Sequence, residues 1–449
     1  MDTKDKILTA HQRQIWLSHL LARVGYDTRL GRLLRLGAYY MDAFIMLKAW
    51  TAFLNVRWQA IGNKFYAVDQ AIMHADHADV KALMQTQPQW RGNDLGIIRI
   101  LAPSYLLGHP LSLGMNGTEH TGVRAVFTRT LPDPIQQTTT IAPLIEQRLT
   151  QAATQGQLHI GKDLPRMMVW ILHQLVFQIE LSEADITASN AYVDGLVLAS
   201  LPDFISKYLL AFKTAPHIRH RQQMVDRYQQ TPIWSSYRET AAPYDLQGAT
   251  IANSLFDMVH IAGTAGTSAL LGSVIGVLCL NEGLRSQVIA EINQVWTGTE
   301  LPTGAALEQA SLLQKVILET ARLYPPVRFV SQLAQAPGEV VIGNSKCPFQ
   351  QGTRLLGSIF TANRDAAKYR NPDQFDLNRD FTDLLSWNGT DHERVCPGRA
   401  LSIGIIQLFC FYLFKHYQWN DWTAVEWDFE KVTAVTPNNL ILQGFTRRS

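Results

Sequence analysis

Apolar positions recur at three- and four-residue intervals through most of the chain up to about Trp296, the spacing of one buried helical face. Helices are expected at Lys4 to Arg23, Leu30 to Asn55, Glu119 to Thr130, Pro165 to Glu180, Ala249 to Leu280 and Leu284 to Trp296. After Pro302 the pattern changes. A helix from Ala306 to Leu323 should stop at "YPPV", residues 324 to 327, because proline offers no N–H and clashes with a preceding helical turn. Short β patterns follow, with "GEVVIG" and "TRLLGSI" as strands and "KVTAVTPNNLILQGF" as a hairpin turning at Pro437 to Asn439. No repeat or flexible linker interrupts this order. The expectation is one domain over residues 1–449, mainly α with a small β part near the C-terminus.

Two apolar runs raise the question of a membrane. Leu36 to Leu54 is broken by Asp42 and Lys48, whereas the 24 residues from Met258 to Asn281 carry no formal charge and are long enough to span a bilayer. Four glycines, His260 and several hydroxyl side chains in that run suit a helix buried through a large core, and we read it so, without a transmembrane anchor. The start, "MDTKDKILTAHQRQ", has no apolar targeting segment, so a cytoplasmic location is expected, with peripheral membrane contact left open.

Forty Lys and Arg against 38 Asp and Glu give a net charge of +2, which supplies no field to gather nucleic acid. Charged residues make up only 17% of the chain, so the partner expected is an apolar small molecule. Cysteines at 279, 347, 396 and 410 form no CxxC pair, which argues against zinc ribbons and redox pairs. Cys279 and Cys410 sit in apolar helical runs, as small core residues do.

Four groups of residues carry candidate chemistry. Glu319 and Arg322 lie three apart on one helical face. Alone they would be an ordinary solvated ion pair, but apolar neighbours and the Pro-Pro stop suit a buried pair needing a third partner, for which Arg379 offers a planar fork. His120 and Arg124 stack four apart, either as a plain polar face or as donors to a ligand carboxylate. Cys396 precedes a helical run; Pro397 and Gly398 bend the chain tightly there, and Gly389 and Gly404 permit close approach of backbone to a flat ligand. Cys396 is either an incidental thiol or a metal ligand, since a thiolate at a helix N-terminus is stabilised by the dipole and by backbone N–H groups.

Taken in order, "EHTGVR" at 119 to 124, Glu-x-x-Arg at 319 to 322 with "YPPV", "ANRD" at 362 to 365, the Phe375 to Arg379 stretch and "RVCPGRAL" at 394 to 401 resemble the cytochrome P450 superfamily. That resemblance implies a helical triangular prism with a small β subdomain and a haem b held by Cys396 as axial thiolate. It also implies propionate contacts from Arg394, His120 and Arg124, and a structural triad of Glu319, Arg322 and Arg379.

The sequence departs from the family pattern at three places. The central helix normally carries Ala-Gly-x-acid-Thr-Thr/Ser, whereas here Ala262 and Gly263 match, Ala265 replaces the acid, Gly266 replaces the key threonine, and Thr267 matches the last position alone. The acid and hydroxyl of that family supply protons during O–O cleavage. The loop before the cysteine usually has an aromatic residue seven before it and a glycine four before it; here Trp387 is nine before and Gly389 seven before. Gln332 stands where many members have another propionate-binding arginine, a role Arg328 is placed to take over. The first two departures resemble the hydroperoxide lyases, allene oxide synthases and peroxygenases, although no arginine lies between Ala249 and Leu284 to hold a fatty carboxylate. The leading expectation is O–O chemistry on a preformed peroxide or hydroperoxide. The alternatives are a monooxygenase with a redox partner, and a non-catalytic haem sensor.

Overall fold

The structure is a computed structural model that describes residues 3–25, 28–34, 64–67, 71–85, 115, 117–131, 133, 138–195, 208–298, 300–334, 336–342, 345–351, 353–390, 392–427 and 435–448. Most of the expected helix from Leu30 to Asn55, the segment Leu101 to Gly114 and the first arm of the expected C-terminal hairpin lie outside the described residues. Helices dominate and the sheets are small, in agreement with the sequence pattern.

Three long helices surround the region of interest. The first is α1, Ile160–Phe177, which buries Leu164, Met168, Trp170, Leu172 and Phe177. The second, α2, is the central helix Gly248–Leu280, of whose most apolar stretch 72% is buried inside the protein. It meets the length and composition of a membrane span, but it is the core helix that the sequence pattern suggested. Its glycines let neighbours approach: a Cβ on Gly263 would stand 2.7 Å from Leu172 Cδ1, and one on Gly272 would stand 2.6 Å from Thr436 Oγ1. The third, Arg399–His416, is apolar almost all round and packs against Thr138–Thr154, Glu282–Val295 and Ser311–Leu323.

The chain corrects three expectations. The helix expected from Ala306 to Leu323 is two helices, Gly304–Gln309 and Ser311–Leu323, broken at Ala310. The cause is tertiary, because both carboxylate oxygens of Glu291 accept the backbone N–H groups of Leu312 (2.7 Å) and Leu313 (2.9 Å) and so cap a new helix start. The β structure is not confined to the C-terminal end. A four-stranded sheet joins Lys64–Ala67, Ala71–His74, Arg354–Ser358 and Phe329–Leu333 in that spatial order, with Ala71–His74 and Arg354–Ser358 parallel. The turn at Asn438 and Asn439 is present, but the strand after it, Ile441–Gln443, pairs with Gln157–His159 and Asp421–Trp422.

Central to the site, α2 is not a uniform α-helix. Met258–Ala265 forms a π-helical segment between Gly248–Asp257 and Gly266–Leu280. Such wider turns shift the angular phase of everything after them.

Candidate active site

Glu319 and Arg322 are both fully buried, with Arg322 Nε and Nη2 donating to the two carboxylate oxygens at 2.7 and 2.8 Å. Arg379 Nε donates to Glu319 Oε1 at 3.1 Å, as does the Asp376 backbone N–H at 2.9 Å. The remaining donors of both guanidinium groups go to backbone carbonyls: Asn363 and Pro372 for Arg322, Arg370 and Asn371 for Arg379, and Gln374 for both. The third partner anticipated from sequence is therefore in place. A buried ion pair holds only where the remaining donors and acceptors are satisfied, and here backbone from three turns satisfies them.

This cluster reaches the cysteine segment by a short chain of bonds. Asn363, the second residue of "ANRD", gives its carbonyl to Arg322 and its side-chain N–H to Ser386 Oγ at 3.3 Å. Ser386 Oγ donates to the Ala321 carbonyl at 2.7 Å, tying the loop to the end of the Ser311–Leu323 helix. Next in the chain, Trp387, Asn388 and Gly389 all adopt positive φ, at 58°, 64° and 74°. The backbone then returns, and the Cys396 N–H donates to the Trp387 carbonyl at 2.8 Å. The Trp387 indole N–H donates to Ser402 Oγ at 2.9 Å, on the first turn of the Arg399–His416 helix. Gly389 is required by its own backbone: its nearest neighbours would be Met84 Sδ and His392 Nε2.

Cys396 is half-buried just before that helix, and a Cβ on Gly398 would lie 3.9 Å from its sulfur. Burial pushes its thiol up, while the Gly398 N–H and the positive charges of Arg124 and Arg399 pull it down. The sulfur thus faces donors and cations ready to stabilise a thiolate. Among the described residues no three His, Cys, Asp or Glu side chains converge as a metal site. Cys396 would be the side chain that holds an iron carried by a cofactor, which would supply the remaining ligands.

Three bases gather beside the sulfur. His120 and Arg124 lie on Gly117–Thr130, and Arg394 donates through Nη1 to the Met115 carbonyl at 3.0 Å. Burial first, then the charges of Arg394 and Arg124, drive His120 down to about 4, so its imidazole is neutral at pH 7. Burial likewise lowers Arg124 and Arg394, opposed by the charge of Glu393, whose side chain is 55% exposed. A half-buried set of two guanidinium groups and an imidazole, with one solvated carboxylate nearby, fits a ligand bearing two carboxylates. Arg328 is fully buried immediately before Phe329–Leu333, and its carbonyl accepts the Ile359 N–H at 2.8 Å.

On the central helix, Ala262 is exposed and Ile261, Ala265 and Gly266 are partly exposed, although Val259, His260 and Thr264 among them are buried. A Cβ on Gly266 would meet no atom within 4 Å. This face is open, small and apolar, and it carries neither acid nor hydroxyl. Thr267, the remaining family match, is buried at 6% exposure. Asp257 is the one acid of this helix, and it is buried 3.7 Å from Arg221. His260 is a core histidine, as its pattern suggested: fully buried, it donates from Nδ1 to the Phe256 carbonyl and meets Ser189 Oγ at 3.1 Å.

Sequence reasoning passed over His392, Asn388, Ser386 and Asn363 as loop residues. One of them left a signal. His392 stands four before the cysteine, where the pattern has glycine.

A family model described as Cytochrome P450 matches residues 115–442. Among curated relatives, ferruginol synthase of Salvia pomifera is 24% identical over 187 residues, covering 40% of each chain. The cytochrome P450 monooxygenase AMT3 of Alternaria alternata is 25% identical over 325 residues, covering 65% of this chain and 64% of that one. The match thus spans two fifths of the length of the first and just under two thirds of the second. The crystal structure of a mutant cytochrome P450DA heme domain superposes with a TM-score of 0.66 at 15% identity, covering 84% of this chain and 87% of that one. With the family model spanning most of the chain, and with Glu319, Arg322 and Cys396 arranged as above, the protein belongs to the cytochrome P450 family, whose members hold haem by a cysteine thiolate.

Proposed function

We propose that the protein is a haem-thiolate oxidoreductase that acts on an O–O bond already present in an apolar hydroperoxide or in hydrogen peroxide. The observation that carries this reading is the open face of the central helix, where Ile261, Ala262, Ala265 and Gly266 present no proton donor. Bound haem b would supply the redox chemistry, strengthened by electron donation from a thiolate ligand. The chain's own residues hold and shield it. Cys396 is the ligand, while His120, Arg124 and Arg394 take the propionates and Arg328 provides a further contact. Glu319, Arg322 and Arg379 fix the backbone that carries the cysteine, and Gly389 and Gly398 provide the turns around it. Small apolar side chains at Ala262 and Ala265 admit an apolar substrate and keep water scarce beside it.

The test is consumption of a fatty-acid hydroperoxide by purified holoprotein without NAD(P)H. Rapid loss supports the reading, and an inert hydroperoxide overturns it. A second reading, a monooxygenase fed by a redox partner, is favoured by one feature. Thr267 stands two residues beyond a π-helical segment that changes its angular position, in a chain whose Alternaria alternata relative is itself named a monooxygenase. Efficient turnover with a reductase and NAD(P)H, together with inert peroxides, would establish that reading.

A further inference from the structure

The segment that lengthens the cysteine loop is closed by a side chain. His392 Nε2 meets the Asn388 carbonyl at 2.7 Å, and its Nδ1 meets the Arg394 backbone N–H at 3.1 Å. A carbonyl only accepts and an amide N–H only donates, so the ring carries its proton on Nε2 and accepts at Nδ1. The Asn388 side chain completes the link by donating to the Arg394 carbonyl at 2.7 Å. The His392 carbonyl also accepts the Val395 N–H at 3.1 Å. Both peptide groups of Arg394, two residues before Cys396, are thus tied to Asn388 and His392.

Glycine at this position would offer neither of the two ring bonds. The turn they close holds two non-glycine residues, Trp387 and Asn388, at positive φ, a strained arrangement that persists only where surrounding bonds fix it. The ring also borders a small open crevice lined by Lys81, Met84, Asp383 and Thr390, so removing it does not dismantle a packed core. Its contribution lies in its two bonds.

We propose that His392 is a positioning residue for Cys396: its imidazole, in one fixed tautomer, clamps the Asn388 carbonyl to the Arg394 N–H and thereby sets where the cysteine sulfur stands. The inference rests on the reading of Cys396 as a haem ligand. Without the clamp, Asn388 and Arg394 keep only the Asn388 side-chain bond between them, and the sulfur samples positions in which it does not ligate.

The experiment compares reduced carbon monoxide difference spectra of the purified holoprotein, wild type against His392→Ala, His392→Gln and Asn388→Gly. The readout is the ratio of the thiolate-type band to the shorter-wavelength band of haem lacking a thiolate. Only haem-loaded molecules enter this ratio, so material that fails to fold does not distort it. The ratio in His392→Ala should fall roughly five-fold for each hydrogen bond lost. His392→Gln, which retains one donor and one acceptor, should recover part of it. Asn388→Gly tolerates the positive φ and removes only the side-chain bond to Arg394, so it should give a smaller fall. It decides the matter if His392→Ala yields no holoprotein. A wild-type ratio in His392→Ala, or in Asn388→Gly where His392→Ala yields no holoprotein, overturns the proposal. A wild type with no thiolate band instead overturns the ligand assignment on which it rests.

Discussion

Glu319 and Arg322 meet through two hydrogen bonds, at 2.7 and 2.8 Å, with neither side chain exposed. At the surface such a pair contributes little. Here it has been taken out of water, so each charge depends on the other and on the carbonyls around it. Removing one partner leaves an uncompensated buried charge at a cost of about 3–5 kcal/mol. Arg322→Ala should therefore lower unfolding free energy by that order in chemical denaturation, with loss of haem before global unfolding. Stability within 1 kcal/mol of wild type would show that the pair does not hold the cysteine segment.

The bases near Cys396 give a separate expectation. Arg124→Ala and Arg394→Ala should each weaken haem retention by roughly ten-fold or more, the size of one charge-assisted hydrogen bond of about 1.5–3 kcal/mol. Arg124→Lys should lose less, since it keeps the charge and loses only the planar fork. Haem transfer to an excess of acceptor protein measures this directly.

Stability should depend on pH through the buried groups beside the central helix. His173 is fully buried; it donates from Nδ1 to the Val169 carbonyl and accepts at Nε2 from the Tyr228 hydroxyl. Burial lowers it from 6.5 to about 4, and lowers His260 well below its ordinary value. A folded-state value below the unfolded one means stability that is full above 6.5 and lost as pH falls towards 4, on the order of 3 kcal/mol for His173. Asp257 has the opposite sign. Burial, partly offset by Arg221, raises it to about 7, so its contribution is lost as pH rises through 7. On acidification from 6.5 towards 4 the histidines lose stability while Asp257 regains it, so thermal midpoints should fall less steeply in His173→Gln than in wild type and more steeply in Asp257→Asn over that range.

Restoring the missing family residue tests the central-helix argument. Gly266→Thr has room for its Cβ and removes a helix-interior glycine, so it should fold at least as well as wild type. It should raise reductase-dependent product formation several-fold while leaving hydroperoxide loss unchanged or slower. No change in coupling would mean that another group already handles the proton.

The helix spans were legible because periodicity is a local property; the Glu319–Arg322 pair was legible from its i,i+3 spacing, and Arg379 joined it through the family resemblance. What the sequence concealed depends on distant partners. The break at Ala310 is set by Glu291 some twenty residues earlier. The pairing of Ala71–His74 with Arg354–Ser358 joins segments that carry no mutual mark. The π-helical segment at Met258–Ala265 contains no residue that demands it. His392 read as a loop residue because its bonds exist only once three successive residues turn left-handed.

The most direct test of the account is the reduced carbon monoxide difference spectrum of purified wild type beside Cys396→Ser. The account predicts a thiolate-type band in wild type that is absent from Cys396→Ser while haem is still bound. Haem-loaded wild type without that band, or a variant that retains it, would contradict the assignment of Cys396.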